Sequence, residues 1–454
     1  MNQLTLAFVQ DALNVPRYGD AQQAIRVVTD SRHIQEGDVF VALVGEQFDG
    51  HDYVTDVLAQ GAAAVIVSRD VAAGDARQMV VGDTLVALGQ VAHAWRMLLN
   101  PKILALTGSN GKTTVKEMCA AILRVACGEE AVLATAGNFN NEIGMPLTLL
   151  RLQDAHQVVV LELGMNHFGE LSRLTQIAQP DVALVNNALR AHIGNDFNGV
   201  ADIARAKSEI YAGLKPESGV ALLPVEDPNL AIFEQATQGL KQATFGLHTG
   251  DVHAKDMVLS PLCSDFVLSD GKEQIAVHLP VAGEHNVYNA AAAAAVVRAI
   301  GVSWADIAAG LAKFHNAKGR LQGFTSKSGA LVVDDTYNAN PDSMKAALDV
   351  LARFDGAKVF VMGAIGELGS DSWDLHAEVG QYANEQGLSA LLGLGADAQA
   401  ACNACAVGQY FEDLNALLAV LGQYNVAGTT ILVKGSRFMQ MERVVEALLA
   451  ATGK

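Results

Sequence analysis

The chain has 454 residues, half of them hydrophobic and 18% charged, with 31 lysines and arginines against 49 aspartates and glutamates for a formal charge of −18. That apolar fraction can offset the entropy of ordering the chain, which excludes bulk disorder, and the length suggests about three domains of ~150 residues. The acidic balance excludes a nucleic-acid-coating role, because neutralising phosphates takes an excess of lysine and arginine. Any phosphate ligand has to be held locally.

The amino-terminal stretch MNQLTLAFVQDALN has no basic region and no apolar segment ending in a small-residue cleavage site, so no secretory signal is expected. Over the first ~98 residues the apolar runs are short, such as Val39-Phe-Val-Ala-Leu43 and Ala64-Val-Ile-Val67, with a turn cluster at Phe48-Asp-Gly-His51. From about residue 100, continuous apolar runs alternate with helical stretches. Ile103–Leu106, Val158–Leu161, Val182–Val185 and Val220–Leu223 read as buried strands bounded by turn residues. After a helical stretch near 286–314, the pattern repeats at Leu331–Val333, Val359–Met362, Leu391–Leu394 and Ile431–Val433. The expected fold class is therefore α/β, in three domains: 1–98, 99–318 and 319–454, the last two open sheets.

The most membrane-like stretch, Ala290 to Val297, is too short to span ~30 Å of hydrocarbon and reads as buried helix, so no membrane insertion is expected. Cys119, Cys127, Cys263, Cys402 and Cys405 are an odd number of scattered cysteines, which fits a reducing, cytoplasmic setting. Cys402 and Cys405 form a C-x-x-C with no second pair at zinc spacing. Two small residues on a helix is the plainer reading than metal or redox use.

The sharpest local signal is Thr107-Gly-Ser-Asn-Gly-Lys-Thr-Thr114, between a strand and the amphipathic stretch Val115–Leu123. Gly108 and Gly111 let backbone N–H groups of Ser109, Asn110 and their neighbours turn inward around a phosphate, and the helix that follows adds its positive end. Lys112 can reach terminal phosphates, and the Thr113 and Thr114 hydroxyls follow it, Thr113 placed to ligate Mg²⁺. Only two residues separate the glycines, where the common phosphate loop has four.

A phosphate loop needs a metal site, and the next strands end in suitable groups. Glu162 stands at the carboxyl end of a strand, His192 in the loop after the next one, and Lys207 on the helix beyond. Singly they read as well as a capped strand end, a surface histidine and a solvated lysine. Their placement on one sheet edge points to a shared site.

These residues resemble a family: the ATP-dependent Mur ligases of bacterial peptidoglycan synthesis, and within them the branch that adds D-Ala-D-Ala. The resemblance covers essentially the whole chain. It is carried by the short phosphate loop, Gly137-Asn-Phe-Asn-Asn-Glu-Ile-Gly144, Glu162-Leu-Gly-Met-Asn-His-Phe-Gly-Glu170, Ala206-Lys207, Gly283-Glu-His-Asn-Val-Tyr-Asn289, Asp334-Asp-Thr-Tyr-Asn-Ala-Asn-Pro341 and Val433-Lys-Gly-Ser-Arg437. The diamino-acid-adding relatives carry an Asp-Asn-Pro-Arg motif that is absent here. The tract Gly366-Glu-Leu-Gly-Ser-Asp-Ser-Trp-Asp-Leu-His376 fits the dipeptide-adding branch instead.

The resemblance implies a first domain for the UDP end of the substrate, a central ATPase domain with the phosphate loop, and a Rossmann-like third domain. Thr29-Asp-Ser-Arg32, Gly37–Ala42 and Phe48–His51 look like the uridine pocket, with Ser31 and Asp49 its candidates. Glu162 and His192 match metal positions, and Lys207 matches a lysine often carried as a carbamate, a carboxylate-like ligand for a second Mg²⁺. Asn286 and Asn289 look like the adenine contacts, although both also suit plain helix caps. Arg320 and Asp335 resemble the phosphate-directed arginine and the ribose acid. Asn138 and Asn141 are candidates for holding the peptide-bearing substrate, and Asn338, Asn340, Ser372, His376 and Lys434 for the incoming dipeptide.

The implied reaction joins D-Ala-D-Ala to UDP-MurNAc-tripeptide through an acyl phosphate, with ATP and Mg²⁺, Lys112, Lys207 and His192 serving the chemistry, in a monomer. Bringing three ligands from three domains together while excluding water implies closure, with hinges expected near Asn100 and Gly319. A folylpolyglutamate-type or amino-acid-adding ligase would keep the ATP half. A non-catalytic homologue would have no need of Glu162, His192 and Lys207.

Overall fold

The computed structural model describes residues 2–20, 25–190 and 196–451. The first sheet is parallel, with strands Val27–Val28, Val39–Val41, Ala64–Val67 and Gln78–Val80 in chain order. The central sheet has six parallel strands in the spatial order Lys241–Phe245, Val220–Pro224, Val182–Val185, Lys102–Thr107, Val158–Glu162, Val132–Ala134. Its continuous apolar runs are explained by burial on both faces. Ile103, Ala105, Val159, Leu161, Ala183 and Val185 enter one core, while their alternate neighbours Leu104, Leu106, Val158, Val160, Val182 and Leu184 enter another.

The second of these cores holds the helices Lys112–Cys127 and Glu284–Arg298, the alanine-rich stretch being fully buried as expected. It also holds an antiparallel sheet, His253–Leu259, Ser264–Ser269 and Gln274–Leu279, that the apolar runs did not reveal. Its strands bury only one face, so polar residues interrupt the runs. The third sheet runs Gln322–Thr325, Leu331–Asp335, Thr429–Lys434, Ala357–Gly363, Ala390–Leu394, Gly408–Phe411, parallel except for the first strand, with a core on each face. Cys402 lies on the helix Ala398–Ala404 with Cys405 at its end, both free and buried. Among the described residues, no helix is long and apolar enough to cross a membrane.

The helix Thr84–Leu99 alters the expected hinge. Asp83 caps its start, and Asn100 ends it in the left-handed region at φ 46°. Between them, Trp95 Nε1 donates to the Leu152 carbonyl at 3.1 Å, and the buried Arg96 donates to the carbonyls of Ala178 and Gln179 at 2.7 and 3.0 Å. The helix shares one hydrophobic core with the central sheet. Asn100 thus lies beyond a helix already packed on the central domain, so a hinge there would have to break that packing.

Candidate active site

The strand Lys102–Thr107 lies between strands that leave it in opposite directions of chain order, so a crevice opens at its carboxyl end. Register sets Leu106 beside Glu162 and Thr107 beside Val185, so the phosphate loop, Glu162 and the Asn186–Asn187 turn share one edge. The helix Lys112–Cys127 starts without a side-chain cap, and its first turn closes from the Val115 N–H to the Gly111 carbonyl. The N–H groups of Lys112, Thr113 and Thr114 are left for a ligand, whereas those of Ser109 and Asn110, expected to turn toward the phosphate, are not. A Cβ on Gly111, at φ +81°, would lie 2.4 Å from Asn289 Oδ1, and one on Gly108 would lie 2.9 Å from the Asn186 Cβ.

The loop is held from behind. Ser109 and Asn110 donate their N–H groups to the Asn187 carbonyl and Oδ1, at 3.1 and 2.9 Å. Asn186 Nδ2 donates to the Asn110 carbonyl and to Asn289 Oδ1, and Tyr288 donates to the Asn186 carbonyl. Asn286 donates to the Ala282 carbonyl at 2.7 Å. Neither Asn286 nor Asn289 caps the helix, a position taken by Gly283. Asn140, Asn186 and Asn187 escaped the sequence reading, although a pair of asparagines directly after a buried strand was a usable signal.

Lys112 folds back, its Nζ donating to the Gly108 carbonyl at 2.5 Å. Burial lowers its pKa, with Glu162 opposing and Arg320 adding to the shift. Glu162 is buried, with Oε1 accepting from Asn140 at 3.0 Å and Oε2 lacking any partner among the described residues. Lys207, on the helix Val200–Ser208, is also buried and has no hydrogen bond or ion pair among them. Burial, and then the charge of Lys112, pushes its pKa well below that of an ordinary lysine. His192 lies outside the described residues.

The third domain supplies the facing wall. Arg320 Nη2 donates to Thr113 Oγ1 at 2.9 Å, and its guanidinium stacks over Tyr337 at 4.4 Å. Lys434 pairs with Asp335 at 2.7 Å and donates to the Asn338 carbonyl at 3.0 Å. Asn340 caps the helix Pro341–Ala352 and exchanges amide hydrogen bonds with Asn110. The resulting cavity, of about 660 Å³, is also lined by Ser109, Thr114, Asn138, Asn141, Asn286 and Asn289. Asn141 Oδ1 is occupied, accepting from the Gly144 N–H at 2.8 Å.

Four expected site residues lie outside this cavity, two of them, Ser31 and Asp49, in the first domain, where the uridine pocket is expected. Ser31 opens the short turn Ser31–His33 in the first domain, and Asp49 caps the turn Gly50–Tyr53. Arg69, then the His51 N–H, hold the Asp49 carboxyl well below the usual range. Neither residue lines the cavity. Ser372 Oγ donates to Asp397 at 2.6 Å. His376 is fully buried, its Nε2 accepting from the Ile365 N–H at 2.9 Å and its Nδ1 donating to the Ser372 carbonyl at 2.6 Å. With both ring nitrogens engaged, His376 has none left for a dipeptide, and burial lowers its pKa.

Comparison with known proteins agrees with this architecture. Residues 26–96 match the Mur ligase family catalytic domain, 106–297 the Mur ligase middle domain and 319–437 the Mur ligase glutamate ligase domain. The UDP-N-acetylmuramoyl-tripeptide–D-alanyl-D-alanine ligase of Haemophilus influenzae is 39% identical, over 99% of each chain. A crystal structure of MurF from Acinetobacter baumannii superposes with a TM-score of 0.92 at 40% identity, covering 99% of this chain and 100% of that one. MurF from Thermotoga maritima in complex with ADP gives 0.84 at 29% identity, covering 95% and 98%. The chain belongs to the Mur ligase family, in its MurF branch.

Proposed function

We propose that this cavity joins D-alanyl-D-alanine to the terminal carboxylate of UDP-MurNAc-tripeptide, consuming ATP. The observation that carries the reading is the interdomain cavity in which an open phosphate loop, two buried charge-bearing groups and third-domain Arg320, Asp335 and Lys434 face one another. The functional units are residues 1–98 for the UDP end, 99–318 for ATP and 319–454 for closure and the dipeptide. The enzyme works as a cytoplasmic monomer.

A carboxylate is a poor acyl donor, so ATP first transfers its γ-phosphoryl group to it, giving an acyl phosphate and ADP. The dipeptide amine then attacks the acyl carbon, and the tetrahedral intermediate collapses to an amide and inorganic phosphate. The N–H groups at the start of the Lys112–Cys127 helix bind the phosphates. Lys112, freed from the Gly108 carbonyl, and Arg320 neutralise the oxygens on which charge grows. Asn286 and Asn289 lie on the adenine side and Asp335 on the ribose side. Asn138 and Asn141 face the peptide, while Asn338, Asn340 and Lys434 face the dipeptide. Third-domain packing over the loop keeps water from the acyl phosphate.

The residues fit Mg²⁺, a hard cation that takes oxygen donors, because a buried carboxylate oxygen of Glu162 has no partner. Thr113, Glu162, His192 and Lys207 as its carbamate would hold it. Bound there, it would supply charge stabilisation for the transferring phosphoryl group. A Lys207 amine kept largely uncharged by burial adds to CO₂, forming an N–C bond and losing a proton, which turns a cation into an oxygen donor.

The test is phosphate release with ATP, Mg²⁺ and UDP-MurNAc-tripeptide, with and without D-Ala-D-Ala, followed by mass analysis. Release that requires the dipeptide and yields UDP-MurNAc-pentapeptide is expected. Release indifferent to the dipeptide would overturn the acceptor.

A further inference from the structure

Away from the cavity, the antiparallel sheet presents three metal-ligating side chains on its outer face. Its inner face, with Phe266, Leu268, Val277 and Leu279, is buried in the central domain's core, so the sheet is a rigid platform. Asp265 and His278 are direct cross-strand partners on the exposed side, with side chains about half exposed. Cys263, just before the strand Ser264–Ser269, brings its sulfur to the same side. A tight turn fixes it, the Ser260 N–H donating to the Cys263 carbonyl at 2.9 Å with Pro261 second in the turn. The Cys263 sulfur, an Asp265 oxygen and a His278 nitrogen all lie within 4.8 Å of one another. His278 Nδ1 and Asp265 Oδ1 lie 2.8 Å apart, within hydrogen-bond distance.

We propose that Cys263, Asp265 and His278 form a surface site for a borderline divalent cation of the zinc class, separate from the magnesium site. The donor set decides the metal. A thiolate and an imidazole beside one carboxylate suit Zn²⁺ or Co²⁺, whereas Mg²⁺ prefers oxygen ligands and does not favour a thiolate. The metal takes Cys263 as thiolate and His278 as neutral imidazole, so binding releases the thiol proton. Three protein ligands leave a fourth position for water or an added ligand. Leu262, beside the site, lies close to Gly323 in the first strand of the third sheet, which places the metal at the boundary of two domains.

Cobalt titration of the full chain tests this, read by the thiolate-to-cobalt charge-transfer band in the near ultraviolet. One equivalent is expected, displaced by Zn²⁺ and abolished in Cys263→Ser. Losing a group behind a ligand already weakens metal binding ~10-fold, so Asp265→Asn and His278→Gln should each cost at least that. The exposed substitutions should leave melting temperature and magnesium-supported ligation unchanged, which separates a lost site from a lost fold. No charge-transfer band at saturating cobalt, or a band of undiminished affinity in both Asp265→Asn and His278→Gln, would overturn the site.

Discussion

Arg190 of the central domain and Asp342 of the third domain form a two-point ion pair across the cavity mouth, Nη2 meeting Oδ1 at 2.5 Å and Nε meeting Oδ2 at 3.4 Å. Arg190 also reaches Glu378 at 2.8 Å, and Glu378 accepts from Lys345 at 2.5 Å. The bonds from Arg190 and then Lys345 hold the Glu378 carboxyl down at about 2, while Asp342 and then Glu378 raise the Arg190 pKa.

The network holds the third domain where Arg320 meets Thr113. A partly exposed ion-pair network contributes about 1 kcal/mol, so Arg190→Met is expected to raise the KM for ATP ~5-fold. Asp342→Asn should raise it as well, although it removes a negative charge from the cavity wall and simple electrostatics predicts the opposite. Wild-type KM should climb with salt toward a nearly flat variant curve. Steady-state kinetics across potassium chloride checks this, and an Asp342→Asn enzyme that binds ATP more tightly would exclude the latch.

Gly111→Ala should disable the phosphate loop through collision, beyond its backbone strain. The new Cβ meets Asn289 and Asn186, the residues that hold the loop from behind, at 2.4 and 2.5 Å. Gly128→Ala supplies the comparison, since Gly128 at φ +95° has nothing within 4 Å of its Cβ position. Both variants should lose on the order of 1–3 kcal/mol of stability from the unfavourable φ. Only Gly111→Ala should weaken ATP binding, by ~10-fold or more. Nucleotide calorimetry beside thermal melts separates the two.

The strands around the site were legible because burial on both faces writes them as unbroken apolar runs, and the sheet edge carrying Glu162 followed from them. The antiparallel sheet was not, because its one-sided burial alternates polar with apolar residues. Lys207 was legible as a position, while its isolation in the interior is a property of packing. Asn140 hid between Asn138 and Asn141, since which of three neighbouring asparagines meets Glu162 is set by the loop's turn. His376 misled for the reverse reason: its two ring nitrogens are used by backbone groups at Ile365 and Ser372 that local sequence does not identify as partners.

Lys207 makes ligation dependent on CO₂ if its amine is the carbamate carrier. Stripping bicarbonate should lower turnover several-fold in the wild type, with recovery on adding it back. Lys207→Ala should lose ~100-fold or more, a typical scale for removing one group that stabilises transition-state charge. Lys207→Arg should be no better, because a guanidinium keeps its charge and does not add to CO₂. A short carboxylic acid added to Lys207→Ala should restore part of the activity. Lys207→Arg turnover near wild type would remove the carbamate.

His285 gives the fold a specific acid sensitivity. It stands on the helix Glu284–Arg298 between the main cavity and a second one of about 540 Å³ lined also by Tyr288, Asp349 and Arg353. Burial and then the charge of Lys434 push its pKa down to about 4, with Asp349 opposing. An unfolded histidine titrates near ~6.5, so between these values the unfolded chain binds a proton that the folded chain refuses. Stability from this group is fully present above about pH 6.5 and is lost as pH falls toward 4. At pH 5 the loss is on the order of 2 kcal/mol, from ~1.5 pH units at 1.36 kcal/mol each. His285→Gln carries no such proton, so between pH 7 and 5 its urea midpoint should fall less than that of the wild type. Equal falls in the two proteins would mean that His285 is protonated as readily in the folded chain as in the unfolded one.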